Sequence, residues 1–106
     1  MGFDKGFYRA STATHTFYPS IPLSEIDEMR ICYSQEEEVI IKTLDDCTKD
    51  NENNSLTIEL TQEDTKKFRN GNVKIQIRAL TKENKVATTR IFTTMCKDVL
   101  DDEVMQ

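Results

Sequence analysis

Tryptophan is missing from this 106-residue sequence, histidine occurs once, and there are three glycines and two prolines. Each shortage excludes something. Without Trp, the Cys–Trp–Cys core of antibody domains is excluded. With one His and with Cys32, Cys47 and Cys96 far apart, the close ligand pairs of a zinc site are missing. So few glycines leave no glycine-rich phosphate loop. An odd number of scattered thiols makes no disulfide framework and reads as reduced cysteine in a reducing compartment. No apolar run approaches the ~20 residues of a membrane span. The N-terminus lacks the apolar stretch of a signal peptide, and Gly6 stands where a myristoylation motif has Ser or Thr. The expectation is a protein made and kept in the cytoplasm, or assembled there into something larger.

What is present is polar and acidic. Charged residues make up 31%, hydrophobic residues 37%, and the net charge is −5. The acid is spread along the chain, which serves solubility and disfavours nonspecific binding to nucleic acid or an anionic membrane. The length is that of one domain.

Two-residue alternation then organises the chain. Val73 to Ala79 alternates without a slip, so Val73, Ile75, Ile77 and Ala79 share a buried face while Lys74, Gln76 and Arg78 share a wet one. Before it, Thr61 and Asp64 have the spacing of a capping box, and Gly71 is placed to stop the short helix. Met29 to Tyr33 predicts a strand with Met29, Ile31 and Tyr33 inward. A short hairpin turn through three adjacent glutamates leads to a second strand over 37–43, with Val39 and Ile41 inward. Ser55 to Leu60 is a further strand with Leu56, Ile58 and Leu60 on one face.

Thr14 to Tyr18 suits a strand ended by Pro19. Leu23 to Asp27 holds one helical turn with Ser24 as cap. Residues 44–54 read as a polar loop, without the spacing, central Gly or closing Glu of a calcium loop. Thr81 to Asn84 has the composition of a hairpin turn. The run 85–95 predicts a strand with Ala87, Thr89, Ile91, Thr93 and Met95 inward, leaving Phe92 on a contact surface; a one-residue slip would exchange the faces. The tail after Cys96 reads as an edge strand or a short turn.

About seven short strands and one brief helix predict an all-β, antiparallel, immunoglobulin-like β-sandwich. Residues 14–106 form the single domain and residues 1–13 an arm. The arm carries Phe3, Phe7 and Tyr8, more aromatics than a free tail has, and it lies on its own domain or docks on a neighbour.

No constellation for chemistry stands out. His15 reads as a surface or edge-strand residue. The carboxylates are plentiful but solvated, so their pKa values have no reason to shift. Lys66, Lys67 and Arg69 beside Phe68 read as an exposed turn, without the stacking platform of a nucleic-acid site. No catalytic residue, metal ligand or cofactor is assigned. The interaction surface predicted from the sequence is Phe3, Phe7, Tyr8 and Phe92.

Leu60 to Phe68 and Val73 to Arg78, with Thr14 to Phe17, Ile31 to Gln35 and Leu100 to Val104, resemble a group of short proteins encoded by bacteriophages and prophages of gut Firmicutes. The resemblance covers most of the chain from Thr14 on. Its motifs are specific to the group and carry no activity onto particular residues. It implies a small all-β virion protein of the tail or baseplate, found in the host cytoplasm during assembly and then in the virion. The implied function is a non-enzymatic structural or accessory one, through contacts with other virion proteins or with itself as a homo-oligomer. The alternative is a carbohydrate or host-surface binding module presenting Tyr8, Tyr18, Tyr33 or Phe92.

Overall fold

The computed structural model describes residues 6–106. The chain forms β1 (Phe7–Tyr8), β2 (Ala13–Phe17), a 3-10 turn at Leu23–Glu25, β3 (Ile26–Gln35) and β4 (Glu38–Thr43). A second 3-10 turn at Leu44–Asp46 leads to β5 (Cys47–Asp50) and β6 (Ser55–Leu60). Then come α1 (Gln62–Lys66), β7 (Gly71–Thr81), β8 (Val86–Thr88) and β9 (Phe92–Lys97). The fold is mostly β, as the alternation predicted, with nine strands among the described residues rather than about seven.

The strands make a six-stranded sheet in the order β1-β9-β7-β3-β4, with β8 also on β7, and a three-stranded sheet in the order β2-β6-β5. All pairings are antiparallel except β1 with β9, so the larger sheet is mixed. The central strand is the uninterrupted alternator. Val73, Ile75, Ile77 and Ala79 are buried on one face of β7, and Met29, Ile31 and Tyr33 of β3 lie beside them. Leu56, Ile58 and Leu60 of β6, with Ala13 and Phe17 of β2, supply the facing layer of one core.

Side chains fix the ends. Thr61 caps α1: its hydroxyl accepts from the Asp64 N–H at 3.1 Å, and the Asp64 carboxylate accepts from the Thr61 N–H at 2.9 Å. Asp64 also pairs with Lys42 at 2.9 Å. Its partial burial acts to raise the carboxyl pKa, but the bonds from Thr61 and Lys42 hold it below the ordinary value. Lys42 therefore points inward from the edge strand β4, which discourages another chain from pairing there.

The described part of the arm lies on the domain. Phe7 is a core residue, and the hydroxyl of buried Thr65 donates to the Ser11 carbonyl at 2.7 Å. Gly6 has φ +70°, and a Cβ there would overlap the carbonyl oxygen of Met95.

Several expectations are corrected. Gly71 does not stop the helix. α1 ends at Lys66 with Lys67 as its cap, and Gly71 opens β7. Ser24 sits inside its turn, whose N-cap is Pro22. Residues 44–54 contain β5, so the polar loop shrinks to the turn after Asp50. In β4 the buried residue is Ile40, while Val39 and Ile41 are 51% and 43% exposed. The two-residue turn Glu36–Glu37 pairs Gln35 with Glu38, and that register sets Ile40 opposite the inward Tyr33.

The run 85–95 is two strands. Ala79 pairs with Ala87 and Ile75 with Phe92, so five steps along β8–β9 oppose four along β7. The extra residue is a β-bulge, which exchanges the faces beyond it. Thr94 and Cys96 are buried, and Ile91, Thr93 and Met95 face out. Residues 98–106 form neither strand nor hydrogen-bonded turn.

Candidate functional site

Proline, an asparagine and the bulge together open the two sheets at one end. Pro19 and Pro22 lack the N–H that would continue β2, so the chain leaves the small sheet as an irregular segment. Asn54 fixes that segment. Its Oδ1 accepts from the Leu23 N–H at 2.8 Å, and its Nδ2 donates to the carbonyls of Pro19 and Ile21 at 2.9 and 3.2 Å. Asn54 holds φ +51°, a conformation that Asn tolerates better than most residues. Opposite, the bulge at 89–91 separates β8 from β9 along β7. Thr89 bridges the break: its Oγ1 accepts from the Ile77 N–H at 3.1 Å, and its carbonyl accepts from the Gln76 side chain at 2.9 Å.

Between these walls lies an apolar groove of about 490 Å³. Phe17, Ile21, Ile26, Met29, Leu56, Ile77 and Phe92 contribute to its lining, with Thr16, Tyr18, Ser20, Thr88 and Thr89 at its polar positions. Among the described residues, no charged side chain lines it. Arg90 stands at its edge, 4.7 Å from the centroid of the Phe92 ring. Among the described residues, β2 pairs only with β6 on one side and β8 only with β7 on the other, so two strand edges without a described partner flank the opening. A groove of this volume is large enough for a small ligand or a few residues of extended chain.

Deeper in, His15 departs from the surface position expected of it. It is 7% exposed, and its Nδ1 lies 2.8 Å from the Tyr33 hydroxyl of the opposite sheet. The rings stack at 5.6 Å, with Phe7 and Phe17 edge-on to the imidazole. β2 carries Ala13, His15 and Phe17 on one face, so the pairing that buries Phe17 also buries His15. Burial lowers the His15 pKa and raises that of Tyr33, so both stay neutral. The contact joins the two layers by a satisfied polar pair.

The thiols lie at different depths. Cys96 is sealed in the core, and Cys32 and Cys47 are half-buried. Burial raises the pKa of both Cys96 and Cys47. Among the described residues, no group of three His, Cys, Asp or Glu side chains is placed to hold a metal.

Of the four residues assigned to an interaction surface, the three described ones do not converge. Phe3 lies outside the described residues. Phe7 is buried, and Tyr8 is exposed with Lys97 5.2 Å from its ring centroid. Of the three described, only Phe92 reaches the groove, half-buried in its wall. Sequence reasoning missed Asn54 and the groove itself. The available signals were the closely spaced Pro19 and Pro22 around Ile21, and an Asn closing a polar run. Compared with known proteins, the chain matches no protein-family model and no curated protein.

Proposed function

We propose that this chain is a non-enzymatic structural or accessory protein of a bacteriophage or prophage, in the tail or baseplate, working through protein–protein contacts. The observation that carries the reading is the groove: apolar and, among the described residues, free of charged lining and bordered by two unpaired strand edges. Those are the features of a surface that takes another chain by packing and strand addition. The resemblance of Leu60 to Phe68 and Val73 to Arg78 to phage-encoded proteins supplies the virion context. The two layers are read as an immunoglobulin-like sandwich, an architecture that displays loops and edges for contact.

Its partners are other virion proteins or further copies of itself, met in the host cytoplasm during assembly and kept in the particle. The net charge of −5 supports partners that are neither nucleic acid nor membrane. Affinity purification of a tagged full-length chain from particle-producing cells tests this. The expected result is specific recovery of virion proteins or of the untagged chain. Recovery of the tagged chain alone, with particles that lack it, would overturn the reading.

A carbohydrate or host-surface binding role is the second reading. It is favoured by Tyr18, an exposed aromatic at the mouth of the groove. A glycan array separates the two, since only the second reading expects hits that fall when Tyr18 is replaced by Ala.

A further inference from the structure

The groove and the C-terminal segment lie at opposite ends of the molecule. β6 begins with Ser55 and Leu56 at the groove and finishes at Leu60, next to α1. β9 begins with Phe92 in the groove wall and finishes at Lys97, where the segment 98–106 departs. That segment is fastened at the far end. The Gln62 side chain donates to the Met105 carbonyl at 2.9 Å and accepts from its N–H at 2.8 Å. Arg9 pairs with Asp102. Between the sheet and the Asp102 tether, Leu100 is fully exposed, and the side chain of the tethered Met105 is 79% exposed.

The two ends also differ in charge. Residues 78–90, the hairpin that carries β8, hold four basic side chains (Arg78, Lys82, Lys85 and Arg90) and one acidic one. Residues 98–106 hold four acidic side chains and no basic one. Asp27 and Glu28, the acids of β3 nearest the groove, lie across β7 from β8. A chain arriving over the β8 edge therefore meets the basic side first.

We propose that residues 98–106 of one copy dock along the β8 edge of a second copy, with Leu100 in the apolar groove and the flanking acids facing the basic hairpin. The proposal deepens the reading of a self-associating contact protein and rests on it. Opposite-charge flanks steer the encounter, and the burial of Leu100 holds it. Because donor and acceptor lie at opposite ends, the contact is heterologous. Copies add head to tail into a ring or an open row.

Two full-length variants test it. Leu100→Asp spoils the donor and leaves its own groove intact. Ala87→Trp fills the acceptor from an exposed position on β8 and leaves its own tail intact. Sedimentation velocity should show concentration-dependent association of the parent chain and monomers of each variant. An equimolar mixture of the two should give one-to-one complexes, since each supplies the half the other lacks.

A labelled 98–106 peptide should bind the parent chain about tenfold or more tighter than its Leu100→Asp form, that being the factor expected for one buried Leu. Arg90→Glu should weaken the parent peptide, and an Asp101→Lys peptide should restore binding to it. A monomeric mixture, or association of the parent chain that both variants retain, would overturn the proposal. If tagged chain recovers virion partners while the mixture stays monomeric, this contact is wrong and the broader reading stands. If the mixture pairs but no partner is recovered from cells, this contact stands without the broader reading.

Discussion

His15 is the residue whose environment matters most for solution behaviour. Its imidazole sits between the sheets against Tyr33, and burial lowers its pKa below the ordinary 6.5. A base with a depressed folded pKa takes its proton first in the unfolded chain. No penalty exists above about pH 6.5, and the penalty grows as pH falls through that value toward the folded pKa. The unfolding free energy should therefore fall between pH 7.5 and 5.5, read from urea titrations. His15→Gln should flatten that slope. The depressed carboxyls of Asp46, Asp64 and Asp102 act in a lower window. Their stabilisation is present above the ordinary value of 3.8 and is lost only as pH falls through their folded values. The upper interval therefore isolates the histidine. Tyr33→Phe should cost about 1–3 kcal/mol at neutral pH, because the His15 nitrogen loses its partner in a buried site. That loss would appear in the same titrations.

At the scale of elements, the bulge between β8 and β9 makes a sharp prediction. Deleting Arg90 removes the extra residue and lets Phe92, Thr94 and Cys96 keep their inward face in a continuous ladder with β7. The fold should survive, with amide protons around 89–92 newly protected from exchange. Deleting Thr93 instead turns Thr94 and Cys96 outward and should unfold the sheet at far lower urea. The same element shows what the sequence conveyed and what it did not. β3, β6 and β7 were legible because apolar and polar residues alternate in them cleanly, and the Thr61–Asp64 box was legible because its spacing is local. β4 was not, since Val39, Ile40 and Ile41 are all apolar and the turn before them sets the register. β9 was not, since one inserted residue reverses its parity. His15 was misplaced because burial of a lone imidazole depends on a hydroxyl from another sheet. The groove was invisible because its walls come from β2, the segment after it, β3, β6, β7, β8 and β9, which only the tertiary fold brings together.

For the molecule as a whole, one core unites both sheets, but its end near Phe17 and Phe92 is open. Ile75 is fully buried, whereas Ile77 lines the groove. Ile75→Ala should cost about 2–5 kcal/mol by leaving a closed cavity. Ile77→Ala should cost less, because it only widens a space that is already open, and paired chemical denaturation curves would rank the two. The three cysteines add a further consequence. Cys47 lies on the outer strand of the smaller sheet, Cys32 on the solvent side of the larger one, and Cys96 in the sealed interior. Timed alkylation followed by mass spectrometry should therefore modify the first two long before the third. The lag before a third mass increment appears would clock how often the native chain exposes its interior, with no engineered probe.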